Sequence, residues 1–532
     1  MEHIYYFIFF TIVSFLYIVN GYASLATNDD WALRGMLVAE GIYGTLIMSY
    51  PLSYVMSHLY DVFPSFQWYS ILLTLFMGLN FYFVSLYIQK CDSYIHKTIL
   101  LVLALLWMTF LWFNMSITIL TITTMITAVG LIRKNLFLSF AFIFLASLLR
   151  IDMMFILMPY YVVSFFILRE KLSIDKKEIL ALIVLIALVV ASIVIQKQDR
   201  FYNDWLSFNK ARSAIVDMGI LKGGKENLSL EEKFCIERSW WQDETLFPSE
   251  KLIKTTPSLR DILEVNIRKI HFTHFIENYK FKHWLWLLLF GSVIVILFNL
   301  KNRRMLFVPL LVTGVILLLI TRDVERVTVP LILLWAYVLF ESLKQHRILS
   351  SIFIGLFTYI FYYYASGQLT YRYFKENTQL QHEAHQLISK NNKVCAVSIN
   401  FPTTYSNELN TVFSANYLFY EYNWMQMNDK EILPGGWLVR HEYFYRAHDI
   451  SFNGVERKYE TYRDFLINDK TAFFGSKRLV KGGDFFTVML KKYDKKYLAD
   501  RPNCKHRTFI IDTSKHFSIS QVRIDCNLTN KQ

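Results

Sequence analysis

Asp29 and Asp30 stand side by side in the segment Thr27-Asn28-Asp29-Asp30-Trp31, directly after a long apolar run. Two carboxylates at a membrane surface are costly to desolvate and repel each other, which raises the proton affinity of one, as a general base requires. The same Asn-Asp-Asp run also suits the N-cap of the helix-like stretch from Trp31 to Met48, where acidic side chains meet the positive end of the helix dipole. Arg150 and Asp152, in Leu148-Leu149-Arg150-Ile151-Asp152, form an ionisable pair between two apolar runs, a depth at which charge is expensive unless satisfied or functional. On a helix, i and i+2 side chains do not face each other, so each of the two calls for another partner. Arg212 lies in Asn209-Lys210-Ala211-Arg212, five residues before Asp217, and Arg322 and Arg326 flank Asp323-Val324-Glu325. Guanidinium forks bind phosphate oxygens bidentately, so Arg150, Arg212, Arg322 and Arg326 would hold a phosphate or pyrophosphate if they converged. Solvated loop charge is the plainer alternative for each of them. His58, in an aromatic stretch with Tyr50, Pro51, Tyr60, Phe63 and Trp68, is a further candidate; aromatics of this kind prefer the lipid headgroup level.

The elements that must position these residues are membrane spans. Of the 532 residues, 54% are hydrophobic and 19% charged, against about 25% charged in ordinary soluble domains, which argues against a purely soluble globular chain. The net charge of +13 does not require nucleic acid, because its distribution follows membrane topology. Eleven apolar runs of crossing length occur at 3–22, 69–89, 98–113, 115–132, 136–149, 153–168, 179–196, 284–300, 305–320, 327–340 and 348–366. The first lacks a basic start and a small-residue cleavage site and reads as a retained anchor. With the N-terminus inside, the cytoplasmic segments carry thirteen Lys and Arg against six Asp and Glu, in agreement with the positive-inside rule. Residues 23–68, the Arg150 to Asp152 corner, 197–283, the 321–326 turn and the tail from 367 then face outside.

The predicted fold class is an α-helical polytopic membrane bundle of about eleven transmembrane helices, residues 1–366, followed by an extracytoplasmic C-terminal α/β domain, residues 367–532. Strand-like runs at 394–399, 485–490 and 508–511 alternate with polar helical stretches in that tail. Its cysteines would meet an oxidising side, where Cys504 and Cys526 could pair, and no metal-ligand spacing such as Cys-x-x-Cys is present. No internal repeat of the kind found in many secondary transporters is visible.

These residues together resemble the GT-C class of membrane glycosyltransferases, which combine many spans with an acidic motif in the first external loop. The likeness rests on Asn28-Asp29-Asp30 after the first span, the interfacial segment behind it and the external tail. Trp68-Tyr69, Arg150, Asn209-Lys210-Ala211-Arg212 with Asp217, and Glu325-Arg326-Val327 with Pro330 also resemble a group of bacterial multi-span proteins associated with that class. The resemblance implies a cell-envelope enzyme that moves a sugar from a polyprenyl-phosphate donor to an external glycan or lipid-linked acceptor, usually with inversion. Asp29, or else Asp30, would be the base on the acceptor hydroxyl, and the arginines would stabilise the departing lipid phosphate. The sequence leaves metal dependence open; a magnesium or manganese ion would sit on Asp29 and Asp30. Membrane lipids are expected partners.

Two other readings compete. A polysaccharide polymerase or ligase would use external arginines on polyprenyl-pyrophosphate sugars, and an Arg-x10-Gly pattern runs from Arg212 to Gly223, although one such match is expected by chance. A lipid-linked sugar flippase or transporter would bury charge at mid-membrane. The spans here are nearly free of Asp, Glu, Lys and Arg, which favours chemistry at the surface.

Overall fold

A computed structural model describes residues 2–19, positions 30, 33, 36 and 37, nearly all of 44–169, 175–218, 282–298, 307–321, 325–343, and short stretches of the tail, the longest being 505–525. In parts of these helices, 213–218 and 325–330 among them, only the backbone is described. The described chain is mostly helical. In order, the helices are α1 (Glu2–Val19), α2 (Tyr50–Val62), α3 (Trp68–Gln89), α4 (Tyr94–Phe113), α5 (Ile117–Leu131), α6 (Leu136–Leu149), α7 (Ile151–Leu168), α8 (Lys176–Gln198), α9 (Arg200–Met218), α10 (Lys282–Phe298), α11 (Val308–Thr321) and α12 (Glu325–Leu343). Among the described residues, α1, α3, α4, α7 and α8 are long and apolar enough to cross a membrane. Helices α5 and α6 coincide with expected spans but have only 15 and 14 residues, about 22 Å of rise each. The expected break at Asn114 falls between α4 and α5. The expected eleventh span, 348–366, is described only in fragments.

Helix α5 lies at the centre, packed against α3, α6, α7 and α12. Twelve of its fifteen residues are buried, threonines included. A buried hydroxyl without a partner costs on the order of 1–3 kcal/mol. Here the hydroxyls of Thr121, Thr123 and Thr124 donate to the carbonyls of Ile117, Ile119 and Leu120, one turn back. Polar stitches then join the neighbouring helices. Asn80 of α3 donates to Thr124 at 3.1 Å and accepts from Thr127 at 2.5 Å. Ser139 of α6 donates to the Ala128 carbonyl at 2.6 Å and lies 2.7 Å from the Tyr161 hydroxyl of α7.

The rim is built differently. Only Phe10 of α1 is buried, and only Leu185, Val189 and Ser192 of α8, one stripe at helical spacing. The remainder of both helices presents exposed Ile, Leu, Val and Phe, the surface expected toward lipid tails. Helix α8 begins with a capping box in which Asp175 accepts from the Glu178 N–H and the Glu178 side chain accepts from the Asp175 N–H.

In the tail, β1 (Val394–Val397), β2 (Leu433–Pro434), β3 (Thr471–Ser476), β4 (Lys505–Thr513) and β5 (Phe517–Asp525) form one sheet in the order β2-β1-β3-β5-β4. β1 runs parallel to β2 and β3, whereas β5 runs antiparallel to β3 and β4. β1 and β4 match two of the expected strand-like runs; the third, 485–490, lies outside the described residues. The β4–β5 turn is tied to Glu383, which accepts from the His516 N–H and pairs with its Nδ1, both at 2.7 Å.

Candidate functional site at the first turn of α5

The first N–H groups of a helix have no partner within it, so the start of a buried helix must be met by other acceptors. Ser116 stands at the N-cap of α5 with extended backbone, and its Oγ accepts from the Thr118 N–H at 3.2 Å. The Ile117 N–H donates instead to Asp30 Oδ1 at 2.9 Å. The Tyr69 hydroxyl, from the first turn of α3, donates to the same oxygen at 2.7 Å. Tyr69 is itself fixed, since its N–H donates to the Tyr60 hydroxyl of α2 at 2.9 Å. Asp30 is 1% exposed and sits at the positive end of the α5 dipole. Asp30 thus meets an N–H of the first turn of α5; Asn28 and Asp29, the other members of the run that suits an N-cap of the stretch after it, lie outside the described residues. That stretch is shorter than expected: positions 30, 33, 36 and 37 are helical, whereas Gly44, Thr45, Ile47 and Met48 are not. Gly44 lies so close to Tyr202 that a Cβ there would fall 2.6 Å from the ring.

Arg150 closes α6 and opens α7 in extended backbone, φ −155° and ψ 98°. Its Nε donates to Asp152 Oδ1 at 2.9 Å and its Nη2 to Asp152 Oδ2 at 3.0 Å, a bidentate pair. The expectation that each would need a partner elsewhere is thus corrected: Arg150 is not helical, so the helical i, i+2 geometry does not apply. The third arm of the guanidinium does reach away, with Nη1 donating to Thr118 Oγ1 at 2.6 Å. Asp30 and Arg150 therefore hold consecutive residues of α5. Their charged groups lie within roughly 12 Å of each other, the two contacts plus the span of one residue.

The first loop and α9 close on this corner. The Ser49 N–H and Oγ both donate to the Leu148 carbonyl, at 3.2 and 2.6 Å. The Tyr202 hydroxyl of α9 donates to the Thr45 carbonyl at 2.6 Å. Burial pushes the Tyr202 phenol well above its ordinary pKa, and the nearby charges of Asp152 and Asp199 act in the same direction, so it remains a donor. Tyr202, Trp205, Phe208, Asn209 and Arg212 are buried along one face of α9. Arg212 Nε donates to Asn209 Oδ1 at 3.0 Å, about 15 Å along the axis from Tyr202.

Of the residues expected in a site, the structure brings together Asp30, Arg150 and Asp152, and it puts Arg212 on the helix that clamps the same loop. His58 stands apart on α2, half-buried, with Nδ1 3.0 Å from the Tyr54 carbonyl and its ring against Tyr54. The backbone of Asp217 falls on α9 and that of Arg326 on α12; Asp29 and Arg322 lie outside the described residues. Among the described residues no three His, Cys, Asp or Glu side chains gather as a metal set would. A divalent ion on Asp29 and Asp30 would have to draw its remaining ligands from beyond them. Tyr69, Thr118 and Tyr202 were not expected. For Tyr202 a signal existed, because Tyr202, Trp205, Phe208 and Ala211 recur at helical spacing.

Chemically the two charged groups differ. Asp30 Oδ1 already accepts two hydrogen bonds, so Asp30 is a fixed acceptor that holds the loop. The Arg150 fork is paired with an Asp152 side chain that is 55% exposed, and an incoming phosphate presents the same two-oxygen geometry to that fork. No family model matches the chain, and comparison with curated proteins and with solved structures finds nothing similar.

Proposed function

We propose that the chain is a polytopic membrane glycosyltransferase that takes a sugar from a polyprenyl-phosphate donor and delivers it to an external glycan or lipid-linked acceptor. The observation that carries this reading is the meeting of Asp30 and Arg150 on consecutive residues of the first turn of α5, with the first loop strapped over the same corner. In this reading about eleven spans cross the membrane, the N-terminus is cytoplasmic and the tail is an external α/β domain. The start of α5 is the outer end of the bundle. The aromatic group beside it, exposed Phe63 and Phe66 with half-buried Trp68, Phe66 stacked on Trp68 at 5.4 Å, suits the outer headgroup level.

Roles divide within the acidic pair. Asp30, immobilised by Tyr69 and Ile117, positions the loop. Asp29 takes the proton of the acceptor hydroxyl as the sugar transfers, and Arg150 stabilises the negative charge that develops on the departing lipid phosphate. The donor phosphate displaces Asp152 from the fork as it binds. Transfer of radiolabelled sugar from a lipid-linked donor in membranes tests the assignment. Asp29→Asn is expected to abolish transfer while leaving the amount of folded protein unchanged. Full activity in both Asp29→Asn and Asp30→Asn would overturn it.

A further inference from the structure

The other end of α5 borders a cavity of about 370 Å³ between α3, α4, α5 and α12, within the roughly 300–1,000 Å³ range of small-ligand sites. Its walls are mostly apolar, among them Phe83, Leu103, Trp107 and Phe340, and its polar groups fall at two levels. Deep inside are Asn80, Thr123 and Thr127, already bonded within the bundle. At the mouth are two exposed lysines, Lys90 at the end of α3 and Lys134 in the turn between α5 and α6. Lys134 Nζ stands 4.3 Å from the centre of the Tyr87 ring, which also lines the cavity. Asn135, which also lines the cavity, is the N-cap of α6 and its side chain accepts from the Leu138 N–H, so the positive end of that helix dipole lies at the cavity's edge. Among the described residues, no Asp or Glu lines the cavity.

Two amines and a helix N-terminus, with no carboxylate among the described lining residues, make the mouth electropositive, while the interior is mostly hydrocarbon. That polarity is the image of an amphiphile with an anionic head. Basic pockets between transmembrane helices hold anionic lipid headgroups by this combination. A long apolar chain gains about 0.8 kcal/mol per buried CH₂ only where such a dry surface awaits it. We propose that the cavity binds one anionic glycerophospholipid, its phosphodiester between Lys90 and Lys134 and one acyl chain between α3, α4 and α5. Thr123, the lining residue of α5 nearest that corner, lies about 9 Å along α5 from Ile117. The lipid site is therefore separate from the Asp30 and Arg150 corner and does not depend on the reaction assigned to it.

Native mass spectrometry of the full chain, released from bilayers of equal parts phosphatidylglycerol and phosphatidylcholine, tests the proposal. The wild type is expected to retain one phosphatidylglycerol per chain. Lys90→Gln with Lys134→Gln should lower that occupancy about tenfold, and Ala104→Trp, which fills the cavity from α4 without touching the lysines, should lower it equally. Lys176→Gln with Lys177→Gln, at the start of α8, should leave it unchanged. Retention of phosphatidylcholine as strongly as phosphatidylglycerol, undiminished lipid in Ala104→Trp, or equal loss in the α8 control would overturn the proposal. Because the lysine pair is exposed, that variant keeps the test decisive even if Ala104→Trp fails to fold.

Discussion

The two ends of α5 solve opposite problems with one helix. At its start, three polar arms among the described residues reach in and are already engaged: Asp30 on the Ile117 N–H, Tyr69 on Asp30, Arg150 on Thr118. At its far end the neighbours pull apart, leaving apolar space with amines at the opening. Packing around the helix is thus tight where charge must be held in a fixed geometry and loose where only hydrocarbon is to be accommodated. A buried ion tolerates no slack, because its stabilisation depends on donor distances, whereas hydrocarbon asks only for area away from water.

That contrast can be broken most severely at Asp30. Replacing it with Leu leaves the Tyr69 hydroxyl and the Ile117 N–H buried without their acceptor, at about 1–3 kcal/mol each. Thermal unfolding of Asp30→Leu in detergent should show the largest loss of any single substitution at this corner, with Asp30→Asn losing clearly less. A loss no greater than that of an exposed residue would mean the first turn of α5 does not depend on its cap. Arg150→Lys comes next. The fold should persist, because the ammonium still reaches one acceptor, but a lysine cannot present a fork. Sugar transfer should fall on the order of 100-fold, the scale of losing one oriented charge donor.

Asn80→Ala probes the far end. It removes both bonds that join α3 to α5 there, and such interhelical bonds in membranes average about 0.6 kcal/mol each. The melting temperature should drop slightly while transfer stays at the wild-type level; equal damage to transfer would erase the distinction between the ends. The smallest effect is expected in the tail. Burial works to raise the Glu383 carboxyl pKa, but hydrogen bonds from Ser514 and His516 outweigh it and hold it below the ordinary value. A carboxylate so depressed stabilises the fold above its unfolded pKa of about 4.3, and that contribution disappears as the pH falls through the folded value. Glu383→Gln should therefore melt less steeply with acid below about pH 4 than the wild type. If the acid limb is unmoved, the sensitivity lies elsewhere in the chain.

Much of the helical frame could be read from the chain alone, because apolar runs of crossing length leave few alternatives. The break at Asn114 and the start of α6 at Asn135 could be placed from polar residues with capping character. Two helices escaped this reading, α2 and α9. Neither is apolar throughout; each lays one face on the bundle, and α9 reveals itself only by the recurrence of Tyr202, Trp205, Phe208 and Ala211. At the corner, Arg150 and Asp30 were legible as charges that need a reason to be near a membrane. Their partners were not, because an N–H of Ile117 and a hydroxyl of Thr118 become available only once α5 has a beginning, and that beginning is a property of the fold. In the tail, the last described pair of β4 and β5 is Lys505 opposite Asp525. The cysteines considered for a bridge, Cys504 and Cys526, are the next residues on either side, outside the described region.

A single extended residue, Arg150, separates α6 from α7. One added or deleted amino acid would turn every side chain of one helix by about 100° relative to the other, and there is no loop to absorb it. Tyr160 and Tyr161, which reach Gly314 and Ser139 from successive positions of α7, would then face the wrong neighbours. The joint is a place where the chain's length, more than its composition, is under constraint: side chains around it can be exchanged one at a time, but the count of residues cannot change.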